Sequence, residues 1–243
     1  MKGFFITGTD TEIGKTMITG LLTRYFLSKG VKAFPYKPIQ SGAIQVNGKW
    51  VAPDVEFYEE IANQSFNNET NTYLLNTPSS PHFAAMKEQI QIEPHSIVQQ
   101  VEKLTNQNNL VFVEGAGGLI VPINDETTML DLIEKVSLPV ILVARAGLGT
   151  INHTSLSVMA LIQRNIPIAG IILNQNAPDG NEEIEEDNYR MIEQLTGVPV
   201  IGKLQYIDFY KERLSELDEN QLMHNWKMEI LEEVINHGIS KAR

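Results

Sequence analysis

The stretch GTDTEIGKT at residues 8–16 decides the fold class. A short apolar run at residues 3–7 precedes it and predicts a β-strand, and an amphipathic run follows it and predicts a helix. A glycine-rich turn between a strand and a helix is typical of a phosphate-binding loop, in which backbone N–H groups and the helix N-terminus hold a phosphate chain. Five residues separate Gly8 from Gly14, one more than in the usual pattern, so this loop is a variant.

Lys15 and Thr16 stand where the loop enters the predicted helix. We expect the Lys15 ammonium to neutralise charge on the β- and γ-phosphates and the Thr16 hydroxyl to ligate Mg²⁺. The alternative is a plain strand–turn–helix unit whose glycines only make the turn. The position of GKT at the helix start favours nucleotide binding, and the loop alone indicates a nucleotide-dependent enzyme or switch.

Short apolar segments alternate with longer amphipathic ones along residues 1–243. This alternation predicts a single α/β domain of the P-loop NTPase type, with a mainly parallel sheet covered by helices on both faces. The predicted strands are residues 3–7, 32–36, 110–114, 139–144, 168–174 and 199–202. The predicted helices are residues 15–28, 54–61, 94–106, 129–135, 151–164 and 185–195. Residues 63–76 are predicted as an irregular loop, 176–187 as a solvated acidic connector, and 209–243 as a helical extension packed on the sheet.

Two polar motifs follow predicted strands, at the sheet edge where ligands of parallel sheets bind. KPIQSG at residues 37–42 brings Lys37 and Ser41 to this edge, where a lysine can hold a phosphate or a carboxylate; an exposed turn lysine is the alternative. EGAGG at residues 114–118 places Glu114 after an apolar strand, as expected for a carboxylate that faces nucleotide-bound Mg²⁺. Its alternative is a simple glycine-rich exit from the strand.

For three further positions, a structural role explains the residue as well as a functional one does. Asp54 opens a predicted helix and could cap it, contact a metal ion, or do both. Asn174 ends a strand, where its amide could pair with an adenine edge or form a turn. GLGTINH at residues 147–153 opens a helix, whose N-terminus could bind an anion. Because Gly-x-Ser-x-Gly and Ser/His/Asp arrangements are absent, we expect positioning and electrostatics to carry the chemistry.

The composition excludes or disfavours several classes of binding partner and cofactor. The chain of 243 residues has a net charge of -11, which disfavours nucleic acid and anionic membranes as partners. It contains no cysteine, which excludes thiolate zinc sites, iron–sulfur clusters and a cysteine nucleophile. No segment has the pattern of a signal peptide or a membrane span, so we expect a cytoplasmic protein.

Together, these motifs resemble the dethiobiotin synthetase family. The resemblance covers about residues 3–202. It rests on GTDTEIGKT, KPIQSG, Asp54, SSPHFAA (79–85), EGAGGLIVP (114–122), GLGTINHT (147–154) and LN (173–174). It implies an ATP- and Mg²⁺-dependent ligase that converts 7,8-diaminononanoate and CO₂ into dethiobiotin, with ADP and phosphate as the other products. The expected intermediates are a carbamate and a carbamic–phosphoric anhydride, and the expected assembly is a homodimer with its active sites at the interface.

The resemblance also implies roles for individual residues. Thr11, Lys15 and Lys37 would stabilise the carbamate and the transferring phosphoryl group. The nucleotide would contact Glu12, Ile13, Gly14, Lys15, Thr16, Met17, Asp54, Glu114, Gly115, Ala116, Gly117 and Asn174, and Mg²⁺ would contact Thr16, Asp54 and Glu114. The substrate would contact Lys37, Ser41, Gly117 and Gly118, with Gly149, Thr150 and Asn152 of the other subunit at its carboxylate. The sequence departs from the family pattern where Gln205 replaces a proline near the nucleotide base.

Three other functional hypotheses fit the sequence less well. A partition-type ATPase switch would carry an additional lysine early in the loop, where this chain has Thr9, Asp10 and Thr11. An amide-forming ligase of corrin rings would need a cysteine-dependent glutaminase domain. A loop protein without catalysis would not need the full set of charged site candidates present here.

Overall fold

The computed structural model describes residues 2–67, 69–175, 177–178, 180–208, 216 and 218–237. Its strands are β1 (Gly3–Gly8), β2 (Ala33–Ser41), β3 (Ile44–Val46), β4 (Lys49–Val51), β5 (Asn71–Leu75), β6 (Leu110–Gly118), β7 (Val140–Arg145), β8 (Ile168–Asn174) and β9 (Val200–Leu204). Its helices are α1 (Lys15–Ser28), α2 (Pro53–Ala62), α3 (Pro81–Glu88), α4 (Pro94–Gln107), α5 (Met129–Val136), α6 (Thr150–Gln163), α7 (Glu182–Thr196), α8 (Glu219–Leu222) and α9 (Met228–His237).

Seven strands form one parallel sheet in the order β5-β2-β6-β1-β7-β8-β9. β1 therefore lies in the middle, between β6 and β7, and the phosphate loop leaves its carboxyl end. Crossovers run to one side of β1 as far as β5 and later to the other side as far as β9, and ligands of such sheets bind where the direction changes. β3 and β4 form a separate antiparallel hairpin between β2 and α2.

Alternating side chains of each central strand enter two separate cores. In β1, Phe4 and Ile6 pack on the face that α1, α2 and α9 cover, whereas Phe5 packs on the face that α4, α5, α6 and α7 cover. Because both faces are buried, the central strands carry nearly continuous apolar runs. The predicted parallel sheet with helices on both faces is confirmed.

The prediction of an irregular loop at residues 63–76 was wrong in its second half, because Asn71–Leu75 form strand β5. β5 is a short strand at the sheet edge that begins with Asn71, and the Asn-rich stretch that leads into it hides the strand. Its pairing with β2 runs from Lys37↔Asn71 to Ser41↔Leu75. KPIQS is therefore the second half of β2, not a turn after it, and EGAGG likewise lies within β6. The sequence prediction also omitted β3, β4 and α3.

The structure corrects the prediction for residues 176–187 and describes only part of residues 209–243. In the stretch predicted as an acidic connector, α7 begins at Glu182, and Glu185 is buried with its carboxylate 2.9 Å from the Lys203 ammonium. Of the predicted extension at residues 209–243, the described part contains α8 and α9, and Trp226 and Leu231 pack in the α1-side core as expected. Residues 209–215, 217 and 238–243 lie outside the described residues. Among the helices that are described, none combines the length and the hydropathy needed to cross a bilayer.

Candidate active site

The phosphate loop depends on two unusual backbone conformations. Gly14 is the residue before α1 and has a left-handed φ of 93°, and Glu12 has a positive φ of 56°. A Cβ at Gly14 would lie 2.2 Å from Nδ2 of Asn174, so only glycine fits this position. Asn174 itself is buried and donates from Nδ2 to the carbonyl of Ile13 at 2.9 Å. The end of β8 therefore holds the loop in place.

Lys15 lies buried under this loop at the first position of α1. Its ammonium donates to the carbonyl of Asp10 at 2.7 Å. Burial, assisted by repulsion from the Lys37 ammonium, lowers the pKa of Lys15 to about 8, although nearby carboxylates oppose the shift. A cation in this position is stabilised by an incoming anion, as a phosphate-binding lysine should be.

Lys37 joins two carboxylates from different elements. Its Nζ lies 2.6 Å from Oε1 of Glu114 and 2.8 Å from Oδ2 of Asp54, and it also donates to the carbonyl of Gly115 at 3.3 Å. Burial would lower the pKa of Lys37, but attraction to the two carboxylates outweighs it, so the pKa is raised and the ammonium stays charged. Asp54 is not the helix cap considered above, because α2 begins at Pro53 after Ala52.

Glu114 is the most buried carboxylate of this group, with 1% of its surface exposed. Oε1 accepts from the Thr16 hydroxyl at 3.0 Å and from Lys37, and Oε2 accepts from the Tyr58 hydroxyl at 2.5 Å. Burial would raise the pKa of Glu114, but the Lys37 ammonium and the hydrogen bond from Tyr58 lower it below the ordinary value. Sequence analysis missed Tyr58; the available signal was its position one helical turn after Asp54.

A cavity of about 600 Å³ opens beside the loop and joins most of the predicted site residues. The predicted residues that line it are Thr11, Glu12, Gly14, Lys15, Thr16, Met17, Lys37, Ser41, Asp54, Glu114, Ala116, Gly117 and Asn174. Ile13, Gly115 and Gly118 do not line it, since Ile13 is in the core and Gly115 contacts Lys37 only through its carbonyl. The cavity is also lined by Gln175, Leu204, Gln205, Tyr206 and Ile207, of which only Gln205 was singled out from sequence.

Gly149, Thr150 and Asn152 lie apart from this cavity at the start of α6. Gly149 precedes the helix with a φ of 88° and no side chain caps it, while Thr150 is buried and its hydroxyl lies 3.2 Å from that of Thr154. Asn152 is exposed. Within one chain, the structure therefore does not bring this helix start together with the other predicted substrate residues.

Comparison with known proteins agrees with this geometry. A family model described as an AAA domain matches residues 2–212. The chain is 47% identical over 208 residues to the ATP-dependent dethiobiotin synthetase BioD of Anoxybacillus flavithermus, covering 85% of this chain and 93% of the relative. The protein of the same name from Halalkalibacterium halodurans is 41% identical, with coverage of 97% and 98%.

The chain belongs to the ATP-dependent dethiobiotin synthetase family.

Solved structures with the same fold include more distant proteins. The MinD cell division protein of Aquifex aeolicus superposes with a TM-score of 0.59 at 11% identity, covering 99% of each chain. A ParA family ATPase from Chlorobium tepidum superposes with a TM-score of 0.56 at 15% identity, covering 95% of this chain and 98% of the other. At such identities the likeness concerns the fold alone, which this dethiobiotin synthetase family member shares with P-loop ATPases.

The oxygen donors of this family member fit a hard divalent cation. The carboxylates of Glu114 and Asp54 both contact the Lys37 ammonium, and the Thr16 hydroxyl contacts Oε1 of Glu114. Mg²⁺ that travels with a nucleotide is usually held by one or two carboxylates and by phosphate oxygens, without an all-protein cage. No group of three or more His, Cys, Asp or Glu side chains arranged for a metal occurs in the described part of the chain.

Proposed function

We propose that this protein is a dethiobiotin synthetase that uses ATP to close a cyclic urea on 7,8-diaminononanoate. The observation that carries this proposal is the convergence of Lys15, Lys37 and Glu114 on one cavity behind a phosphate-binding loop. Family membership supplies the substrate, and the cavity supplies a place where an anion and a triphosphate can meet.

The reaction has three steps. One amine of the diamine adds to CO₂ and loses a proton, which gives a carbamate. A carbamate oxygen attacks the γ-phosphorus of ATP and ADP leaves, which gives a mixed carbamic–phosphoric anhydride. The second amine attacks the carbonyl carbon, phosphate leaves, and the ureido ring closes with loss of a proton.

Lys37 and Lys15 would act by electrostatics, because both intermediates and the transferring phosphoryl group are anionic. Lys37 is fixed at a strand position by two carboxylates, so its ammonium needs little reorganisation. Thr11 lines the same cavity and would donate a hydrogen bond to the anionic group. Thr16, Asp54 and Glu114 would hold Mg²⁺, which supplies charge neutralisation at the phosphates.

The nucleotide and the diamine would occupy different parts of the cavity. The α1 N-terminus and Lys15 favour the triphosphate, and the part of the cavity lined by Gln175, Gln205 and Tyr206 would receive the base. Asn174 would face the base with Oδ1, because its Nδ2 is already bound to Ile13. Ser41 and the backbone of Gly117, which both line the cavity, would contact the carbamate end of the substrate.

A homodimer would complete the substrate site. The exposed side of α6 and the loop just before it carry four apolar side chains: Leu148, Leu156, Met159 and Ile162 are 87%, 57%, 64% and 55% exposed. Such a stripe is typical of an interface and lies beside the uncapped N-terminus of α6. A second copy packed there would bring that N-terminus to the substrate carboxylate of its partner. The cytoplasmic location stays a prediction from sequence.

The experiment is phosphate release from ATP with Mg²⁺ and bicarbonate, with and without 7,8-diaminononanoate. We expect release that depends on the diamine and a product heavier by one carbonyl less two hydrogens. Lys37→Ala should lower the rate by about 10²-fold or more. Lys135→Ala, which changes an exposed lysine on α5, is the matched control. ATP turnover without the diamine would instead favour a nucleotide switch and contradict the proposal.

A further inference from the structure

Helix α2 contributes two groups to the charged cluster, and only one of them lines the cavity. Asp54 and Tyr58 are four residues apart in α2, so they lie on the same side of the helix. Asp54 contacts Lys37, whereas Tyr58 donates a hydrogen bond to Glu114. Tyr58 is completely buried and is not among the cavity-lining residues. Its contact with the site therefore passes through Glu114.

The two oxygens of Glu114 have different partners. Oε1 faces the loop and accepts from Thr16 and Lys37, while Oε2 accepts from Tyr58. A carboxylate whose second oxygen lacked a donor could rotate about its terminal torsion, which is a soft one for Glu. The phenol hydroxyl removes this freedom, because rotation would leave a buried oxygen without a partner.

We propose that Tyr58 is a positioning residue of the site, which holds Glu114 so that Oε1 is the oxygen presented to Thr16 and to a nucleotide-bound divalent cation. The inference rests on the proposed function only because that proposal names Thr16, Asp54 and Glu114 as the residues that would hold the cation. It adds a residue that does not touch substrate or nucleotide and acts through a carboxylate that does. Partners of this kind commonly change metal affinity by about 10- to 100-fold when they are removed.

The test compares Tyr58→Phe with the wild type by calorimetric titration of ADP, with Mg²⁺ and with EDTA. We expect the affinity for ADP in Mg²⁺ to fall by about 10-fold or more and the affinity in EDTA to stay unchanged. Tyr36→Phe is the matched control: Tyr36 is also completely buried and its hydroxyl contacts Thr72 at 2.5 Å, away from Glu114. The control should preserve both affinities.

A purely structural tyrosine would give a different result. If Tyr58→Phe lowers the unfolding temperature but changes ADP affinity equally with and without Mg²⁺, or not at all, the proposal is overturned. Because ADP titration requires neither the diamine nor turnover, failure of the ligase reaction and failure of this inference are distinguishable.

A second pair of variants tests the route through Glu114. In a Glu114→Gln background, adding Tyr58→Phe should leave the Mg²⁺ dependence of ADP binding unchanged, because the carboxylate to be positioned is gone. A further loss in the double variant would mean that Tyr58 acts by another route and would overturn the proposal. This pair remains informative if the single Tyr58 variant unfolds, since a neutral amide tolerates the missing hydroxyl better than a buried carboxylate.

Discussion

The side-chain amide of Asn174 donates to the backbone carbonyl of Ile13 across 2.9 Å, and so the end of β8 is bonded to the phosphate loop. The same amide nitrogen would lie only 2.2 Å from a Cβ atom added at Gly14. Loop conformation and strand position are thus coupled through a single side chain. This coupling can be tested without reference to the reaction.

Gly14→Ala should weaken nucleotide binding strongly, because the new Cβ must displace Asn174 and with it the carbonyl of Ile13. It also forces alanine into a left-handed conformation, which costs about 1–3 kcal/mol. Gly30→Ala is the matched control, because Gly30 also has a positive φ of 76° but no atom lies within 4 Å of its added Cβ. Titration of ADP and urea unfolding should separate the two: both variants lose stability, and only Gly14→Ala loses affinity. Equal ADP affinity in the two variants would contradict the coupling.

Lys37→Met should destabilise the protein by about 3–5 kcal/mol at neutral pH, because it leaves the buried Glu114 carboxylate without its cation. In the wild type, Lys37 lowers the pKa of Glu114, so this carboxylate stabilises the fold above its unfolded pKa and stops doing so as the pH falls through the lower folded pKa. In the variant the pKa of Glu114 should rise, and the deficit should shrink as the pH is lowered and the carboxyl becomes neutral. Urea unfolding at several pH values measures this, and a deficit independent of pH would contradict it.

Asp131→Ala should cost about 1 kcal/mol of stability near neutral pH, because Thr128 and Asp131 form the capping box of α5. Hydrogen bonds from Thr128, and then Arg164, lower the pKa of Asp131. Its stabilisation is therefore present above the unfolded pKa and is lost as the pH falls through the folded one. Urea unfolding at neutral and acidic pH should show the difference from wild type disappear in acid. Asp125→Ala, an exposed change in the preceding loop, is the control and should leave the stability at neutral pH unchanged.

Met159→Glu should convert the proposed dimer to monomer, because a carboxylate would be buried at the centre of the apolar stripe on α6. Light scattering measures the mass, and phosphate release should fall with it while ADP affinity in Mg²⁺ is retained. Leu195→Glu changes an equally exposed apolar residue on α7 and is the control. A wild type that is monomeric at micromolar concentration would refute the dimer.

Sequence reasoning succeeds here where local chemistry decides the structure. The loop, α1 and the buried central strands follow from periodicity and from GKT, and each has its predicted position to within a few residues. It fails for β5, because an edge strand with polar residues lacks the apolar signal of its neighbours. Missing β5 also made Lys37 appear to lie in a turn.

The site could be predicted residue by residue but not contact by contact. Lys37 and Glu114 were expected at one sheet edge, yet the bond between them depends on strand register. Tyr58 could not be found from a motif, because its role depends on the packing of α2 against β6. Gly149, Thr150 and Asn152 are separated from the cavity within one chain, and only the family resemblance, which assigns them to the other subunit, anticipated this separation.

The parallel pairing of β2 with β6 places Tyr36 beside Val113, so the next residues in the register are Lys37 and Glu114. The opposite charges of the site are therefore spaced by the backbone ladder, at about the 4.8 Å separation of neighbouring strands. Inserting or deleting one residue in β2 would turn Lys37 into the opposite core. Lys37 and Glu114 can therefore form their ion pair only while the register between β2 and β6 is kept.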